Sequence, residues 1–396
     1  MATWQRRHFL GALGAMSASA LCPKITAAFT PVTKPPTITD VQVIRVSSRK
    51  DEGRKGIYVE ITTDTGLTGI HGPIQAEPAY IIYSKLRPLL KGKDPLAGEH
   101  LWDQMRRRDR HARAGQMMMA ISAVDNALWD LRGKYFDVPV YRLLGGPTRE
   151  KIPCYASMLG HSTEPSEAAA FAKDFFDRGF VHQKWFFDYF PEHGGAGRLK
   201  NIAMVKALRD AVGEEGTLCF DARWAWDLPY SIDMARAMMP YRPHWLEEPL
   251  HPEQLEGYIH IKRDTGIPLA SGEHFYTRWN VKQYLDADAI DFVQADPEWC
   301  GGITELVKIC GYCEAHEVKV VPHGHTILPA MHVIAAQPVV VCPMSEFLWK
   351  GQTGTKQHFH KNPIIPEDGF INLPTAPGLG MELDPDIVSK RENMFG

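Results

Sequence analysis

Leu218-Cys219-Phe220-Asp221 is a short apolar run closed by a carboxylate. The pattern returns at His244-Trp245-Leu246-Glu247 and at Ile267-Pro268-Leu269-Ala270-Ser271-Gly272-Glu273. The three acids stand 26 residues apart. A strand, a loop, a helix and a return loop occupy about that many residues in a (β/α)₈ barrel of roughly 250. Side chains at the carboxyl ends of neighbouring parallel strands converge on one mouth. Three anions gathered there repel one another and lose solvation. A hard divalent cation with oxygen ligands relieves both costs, Mg²⁺ being the usual choice. The spacing therefore predicts a barrel whose metal site is Asp221, Glu247 and Glu273.

Working outward, strand patterns recur near 152–157, 181–186, 217–221, 244–248, 268–272, 290–294, 318–322 and 343–347. Amphipathic stretches such as Glu167 to Arg178 and Asn201 to Val212 separate them. Strands alternating with helices imply a parallel sheet, and eight of them favour a closed barrel. The later strands also end in titratable groups. Asp296 closes Phe292-Val293-Gln294-Ala295, His323 closes Val318 to Pro322, and Glu346 follows Met344-Ser345. An imidazole beside a carboxylate on the preceding strand is the arrangement a general base needs, because the carboxylate sets the tautomer and raises the basicity. Glu248 adjoins a ligand, and strand alternation predicts that it points away from the mouth.

Upstream, Ile38 to Val46, Ile57 to Thr63 and Leu67 to Ile70 alternate like antiparallel strands around an Asp64-Thr65-Gly66 turn. Ile121, Val124, Leu128, Leu131 and Tyr135 then follow a helical period. The expected organisation is an α+β capping domain over 38–145, a barrel over 146–350, and a segment over 351–396 that returns to the cap. Before these, Arg6-Arg7, Phe9-Leu10 and the small-residue run to Ala20 resemble a bacterial twin-arginine export signal over 1–28. A Pro/Thr-rich linker at 29–37 follows, and a periplasmic location is expected. A formal charge of −3 argues against general affinity for nucleic acid or anionic membranes. No apolar run reaches the ~18 residues of a membrane span. Cys310-Gly311-Tyr312-Cys313 falls in a helical pattern, where core packing is the expected role, and no disulfide framework is expected.

Several motifs now combine. Ala120-Ile121-Ser122-Ala123-Val124-Asp125-Asn126-Ala127-Leu128-Trp129-Asp130, Tyr141 to Gly146, Trp245-Leu246-Glu247-Glu248-Pro249, and Asp296 followed by Gly301-Gly302 resemble the enolase superfamily, mandelate racemase branch, over about 38–383. Ser271 to Thr277, Trp299 to Glu305 and Val321-Pro322-His323-Gly324 are most similar to its acid-sugar dehydratases of the L-rhamnonate type. The resemblance implies a modified TIM barrel, Mg²⁺ on Asp221, Glu247 and Glu273, a His323–Asp296 dyad, and Glu346 hydrogen-bonded to the substrate carboxylate. It also implies a small sugar-acid substrate and a homo-oligomer.

The chemistry implied is removal of the proton α to a carboxylate, followed by loss of the β-hydroxyl to give a 2-keto-3-deoxy sugar acid. The alternatives are racemisation or epimerisation, or sugar-acid binding without turnover. The branch often carries Lys-x-Lys on its second strand, the second lysine serving as an opposing base. Here the stretch is His182-Gln183-Lys184-Trp185-Phe186, so Phe186 takes that position and two-base racemisation is disfavoured. Lys184 could bind the carboxylate or adjust neighbouring pKa values. Arg223 is expected on the same side as Asp221, either binding substrate oxygen or bracing the acids. His274 could reach a sugar hydroxyl, and Arg54 sits in a basic stretch, Ser47 to Gly56, that reads as a lid.

Overall fold

Residues 38–71 alternate because one face of an antiparallel sheet must be covered, and in the computed structural model they form β1 (Ile38–Ser48), β2 (Lys55–Thr63) and β3 (Thr68–His71). Residues 35–395 are described, so the expected leader and most of the linker lie outside the described residues. The helix Gly115–Tyr135 packs on β3 so closely that a Cβ at Gly69 would meet the carbonyl oxygen of Ala127 at 2.3 Å. Its other side docks on the barrel. Asn126 Oδ1 accepts from Ile303 N at 3.0 Å, and Asp125 accepts from Thr304 N at 2.9 Å. Asp130 accepts from Ile70 N and from Leu379 N, each at 2.8 Å. The polar positions of the Ala120-to-Asp130 motif thus hold cap, barrel and C-terminal segment together.

The barrel strands are β4 (Lys151–Ser157), β5 (His182–Phe186), β6 (Thr217–Asp221), β7 (Trp245–Glu247), β8 (Leu269–Ser271), β9 (Phe292–Val293), β10 (Lys319–Val320) and β11 (Ser345–Leu348). All pair in parallel, in the order β10-β9-β8-β7-β6-β5-β4-β11. β10 and β11 share no ladder; Val320 N donates instead to Val341 O, ahead of β11, at 2.8 Å. Tyr155, Cys219, Trp245, Ala270, Phe292, Val321 and Met344 form one buried cluster, drawn from successive strands, that fills the interior. Cys310 and Cys313 are buried in the helix Ile303–Ala315.

The chain then turns back. β12 (Phe370–Asn372) pairs antiparallel with β4, and β13 (Val388–Asn393) pairs antiparallel with β1, so the cap sheet runs β13-β1-β2-β3.

Candidate active site

The interior cluster explains why the polar groups converge. Side chains two apart on a strand share a face, so the residue two beyond an interior residue reaches the mouth. Cys219 leads to Asp221, Trp245 to Glu247, Val321 to His323 and Met344 to Glu346. Glu273 lies three beyond Ala270, and Gly272, at φ 115°, supplies the kink that realigns it.

Asp221, Glu247 and Glu273 each offer a carboxylate oxygen, and these oxygens lie within 4.8 Å of one another. Burial raises the pKa of all three. Glu247 is pushed up to about 8, by burial first and then by Asp221 and Glu346, against the pull of Lys184. Three crowded, buried oxygen donors suit a hard divalent cation. A second set within the same reach, Glu248, Glu273 and His274, mixes in a nitrogen donor and shares Glu273.

Lys184 is buried between the carboxylates. Its Nζ lies 2.6 Å from Glu247 Oε1, 2.9 Å from Glu346 Oε1 and 3.5 Å from Asp221 Oδ2. Burial alone would lower its pKa, but Glu247 and Glu346 outweigh that and hold it well above the ordinary lysine value. It is a fixed cation here, and Phe186, two residues on, presents only its ring, 5.4 Å from Nζ. Glu346 Oε2 accepts from Gly324 N at 2.8 Å. Burial opposes the charge on Glu346, but Lys184 and His323 draw its pKa down to about 2.

His323 Nδ1 lies 2.7 Å from Asp296 Oδ2, while Nε2 faces Glu273 Oε2 at 3.7 Å and Glu346 Oε2 at 4.0 Å. The ring therefore has one nitrogen held by Asp296 and the other turned toward the acidic cluster. Burial disfavours its charged form, yet Glu273, Asp296 and Glu346 together lift its pKa to about 10. Trp299 stacks on His323 at 5.1 Å and on His274 at 4.9 Å, roofing both rings.

Two expectations need correction. Arg223 does not brace the acids with its side chain: β6 ends at Asp221, and Arg223 has φ 53°. Its guanidinium donates to Phe187 O at 2.6 Å and Asp188 Oδ1 at 3.1 Å, and only its backbone N reaches Asp221, at 2.8 Å. Glu248 does not point away. It follows the end of β7 at φ 40°, and its carboxylate accepts from Trp224 Nε1 and lies 3.8 Å from His274 Nδ1. In the Ser47–Gly56 stretch, Arg54 donates to Gly354 O at 2.7 Å and pairs with Asp51. His274 does lie at the rim, its Nδ1 3.3 Å from Glu273 Oε1.

Sequence reading missed two residues beside the dyad. Glu298 anchors the Asp296 loop: its N donates to Asp296 Oδ1 at 2.6 Å, and its buried carboxylate meets His71 Nε2 of the cap at 2.6 Å. His325 packs against Trp299 with ring centroids 5.1 Å apart and the planes tilted. Both lie two residues past a named site residue, so alternation was the available signal.

Fold and cluster together define an enolase-type barrel, and the chain belongs to the enolase superfamily, with mandelate racemase / muconate lactonizing enzyme domains. The N-terminal domain model of that family matches residues 31–145, and the enolase C-terminal domain-like model matches 167–387. Among its relatives, the L-rhamnonate dehydratase of Saccharopolyspora erythraea is 34% identical over 344 residues, 85% of each chain. A solved enolase-superfamily member from Salmonella Typhimurium superposes with TM-score 0.82 at 27% identity, covering 90% of this chain and 98% of that one. The 3,6-anhydro-D-galactonate cycloisomerase of Zobellia galactanivorans gives TM-score 0.77 at 31% identity, covering 88% and 97%.

Proposed function

We propose that the protein is a Mg²⁺-dependent acid-sugar dehydratase that forms a 2-keto-3-deoxy sugar acid. The observation that carries this is the His323 ring, with Nδ1 held by Asp296 and Nε2 directed at the carboxylate cluster. A proton α to a carboxylate is a weak acid because its loss puts two negative charges on one small group. Mg²⁺ on Asp221, Glu247 and Glu273 would supply the positive charge that makes this tolerable.

The chain's own groups do the rest. With Glu273 neutralised by a bound cation, Nε2 of His323 would be free to take the α-proton while Asp296 keeps the Nδ1 proton in place and stabilises the imidazolium. Lys184 and Glu346 set the charge where the substrate carboxylate lies. The protonated His323 then returns its proton to the departing β-hydroxyl, which leaves as water. Phe186 puts no base on the opposite face, which disfavours inversion. Screening purified protein against an acid-sugar library for 2-keto acid formation, with and without Mg²⁺, tests the reading. Absence of metal-dependent product across the library would overturn it.

The raised carboxylates give a pH expectation. Glu247 titrates near 8 in the metal-free fold against about 4.3 unfolded, so its neutral form's contribution to stability is lost as pH rises through that window. His323, lifted to about 10 from about 6.5, loses its contribution in the same direction. Metal-free protein should therefore have a lower Tm at pH 8.5 than at pH 6, and Mg²⁺ should recover more stability at the higher pH. Calorimetric metal binding near pH 7 should release protons; buffer-independent binding heats would contradict this.

We also propose export to the periplasm, on the Arg6-Arg7 pattern. Changing both arginines to lysine should retain the chain uncleaved in the cytoplasm. Cytoplasmic, uncleaved parent protein would refute the proposal.

A further inference from the structure

The loop that follows Asp296 is held from the cap. Trp102 Nε1 donates to Gly301 O at 2.7 Å, Gly301 N donates to Ser122 Oγ at 2.9 Å, and Asn126 Nδ2 donates to Pro297 O at 3.0 Å. Within this loop Glu298 touches both the dyad and the cap. Its backbone N donates to Asp296 Oδ1 at 2.6 Å, on the carboxylate whose Oδ2 lies 2.7 Å from His323 Nδ1. Its own side chain is buried, with Oε1 at 2.6 Å from His71 Nε2. The Thr326 hydroxyl donates to the same oxygen. Thr326 stands three residues after His323, where the helix Ile327–Ala336 begins. One carboxylate oxygen thus joins the end of β3, the loop after β9 and the loop after β10, and the last two carry the dyad.

The cap's half of this joint is a fully buried histidine. His71 Nδ1 has no partner, so the ring's short polar contact is the one to Glu298. Burial opposes the charge on Glu298, but His71 and Thr326 keep its pKa below the ordinary glutamate value. Facing an ionised oxygen, His71 carries its proton on Nε2 and donates. Charge-assisted hydrogen bonds of this kind are short and directional. This one holds the Glu298 side chain in place, and with it the peptide N–H that aims Asp296. Attachment of cap to barrel is supplied elsewhere as well, by Asp125 to Thr304 and by Asp130 to Leu379, contacts in which the dyad takes no part.

We propose that His71 and Glu298 are positioning residues for the base: through them the docked cap sets the angle of Asp296, and so the tautomer and aim of His323. This rests on the reading of His323 and Asp296 as the base of a dehydratase, and it gives the cap a part in proton transfer besides covering the substrate. Without the contact, Asp296 loses the fixed N–H on Oδ1 and can turn about its side-chain bonds. The imidazole then loses the partner that orients it.

The test reads the dyad directly, in the full chain with Mg²⁺ and without substrate. The proton on His323 Nδ1 should give a downfield NMR signal that disappears in His323→Asn. In His71→Phe, which keeps a ring but removes the donor, that proton should exchange with water about 10- to 100-fold faster. Thr326→Val removes the second donor at nearly constant shape and should act in the same direction by less. His71→Gln, whose amide can reach Glu298, should recover much of the parent behaviour. With a turned-over acid sugar, His71→Phe should lower kcat by a similar factor and leave KM nearly unchanged. A role confined to holding the domains together predicts a lower Tm with the parent's signal and exchange rate, and that result would overturn the proposal. So would a His71→Gln variant no better than His71→Phe, or a parent with no His323-dependent signal. If His71→Phe does not fold, Thr326→Val decides, and unchanged exchange there overturns the proposal. A parent whose signal depends on His71 yet yields no 2-keto acid refutes the dehydratase reading and leaves this one standing.

Discussion

His323→Asn is expected to abolish both dehydration and α-proton exchange while leaving substrate binding in place. Asparagine keeps much of the side chain's reach and polarity but cannot take a proton at the position of Nε2, which faces Glu273 and Glu346 at 3.7 and 4.0 Å. General-base catalysis alone contributes about 10²–10⁴-fold, and loss of the same group as the acid for the departing hydroxyl should place the defect at the upper end. NMR of a good substrate in D₂O is the measurement. Rapid α-deuteration by the variant would expose a second base and revive racemisation, although Lys184 is engaged by Glu247 and Glu346. Asp296→Asn should be milder. The imidazole keeps a hydrogen-bonding neighbour but loses its charged partner, so residual activity should appear with the base pKa shifted to lower pH.

Glu247→Gln should cost about 10³-fold in turnover with little change in fold, because several kcal/mol of charge stabilisation go with the cation. The substitution keeps shape and an acceptor for Lys184, which now meets Glu247 Oε1 at 2.6 Å. Lys184 is not orphaned either, since Glu346 lies 2.9 Å away. Trp245 Nε1, 3.0 Å from Glu247 Oε2, would face an amide in one of the two flips, a modest local penalty. Unchanged Mg²⁺ affinity by calorimetry would sink the metal assignment.

The barrel is legible in the sequence because each strand writes an apolar run of a few residues at a regular interval, with side chains two apart sharing a face. That alternation explains why Cys219 and Asp221, or Val321 and His323, lie one above the other in the interior. It fails where the backbone turns to positive φ. Arg223 and Glu248 sit one or two residues past a strand end with positive φ, and the period-two rule has no hold on them. The place of Arg54 is beyond such reading for another reason: its side chain is held by the carbonyl of Gly354, 300 positions away, and no local pattern encodes such a return.

The pairing of β13 with β1 has a consequence for how the protein is made. Val388–Asn393 leaves the ribosome about 340 residues after its partner β1. At about 5–20 residues per second, β1 waits roughly 20–70 s with one edge bare. During that interval the nascent chain can complete most of its barrel but not the cap sheet, and an uncovered strand edge invites wrong partners. Finishing the cap therefore waits until every barrel strand has been made. A carboxyl-terminal fusion or a truncation before Val388 would act first on lid assembly, in a chain whose barrel strands are otherwise all present.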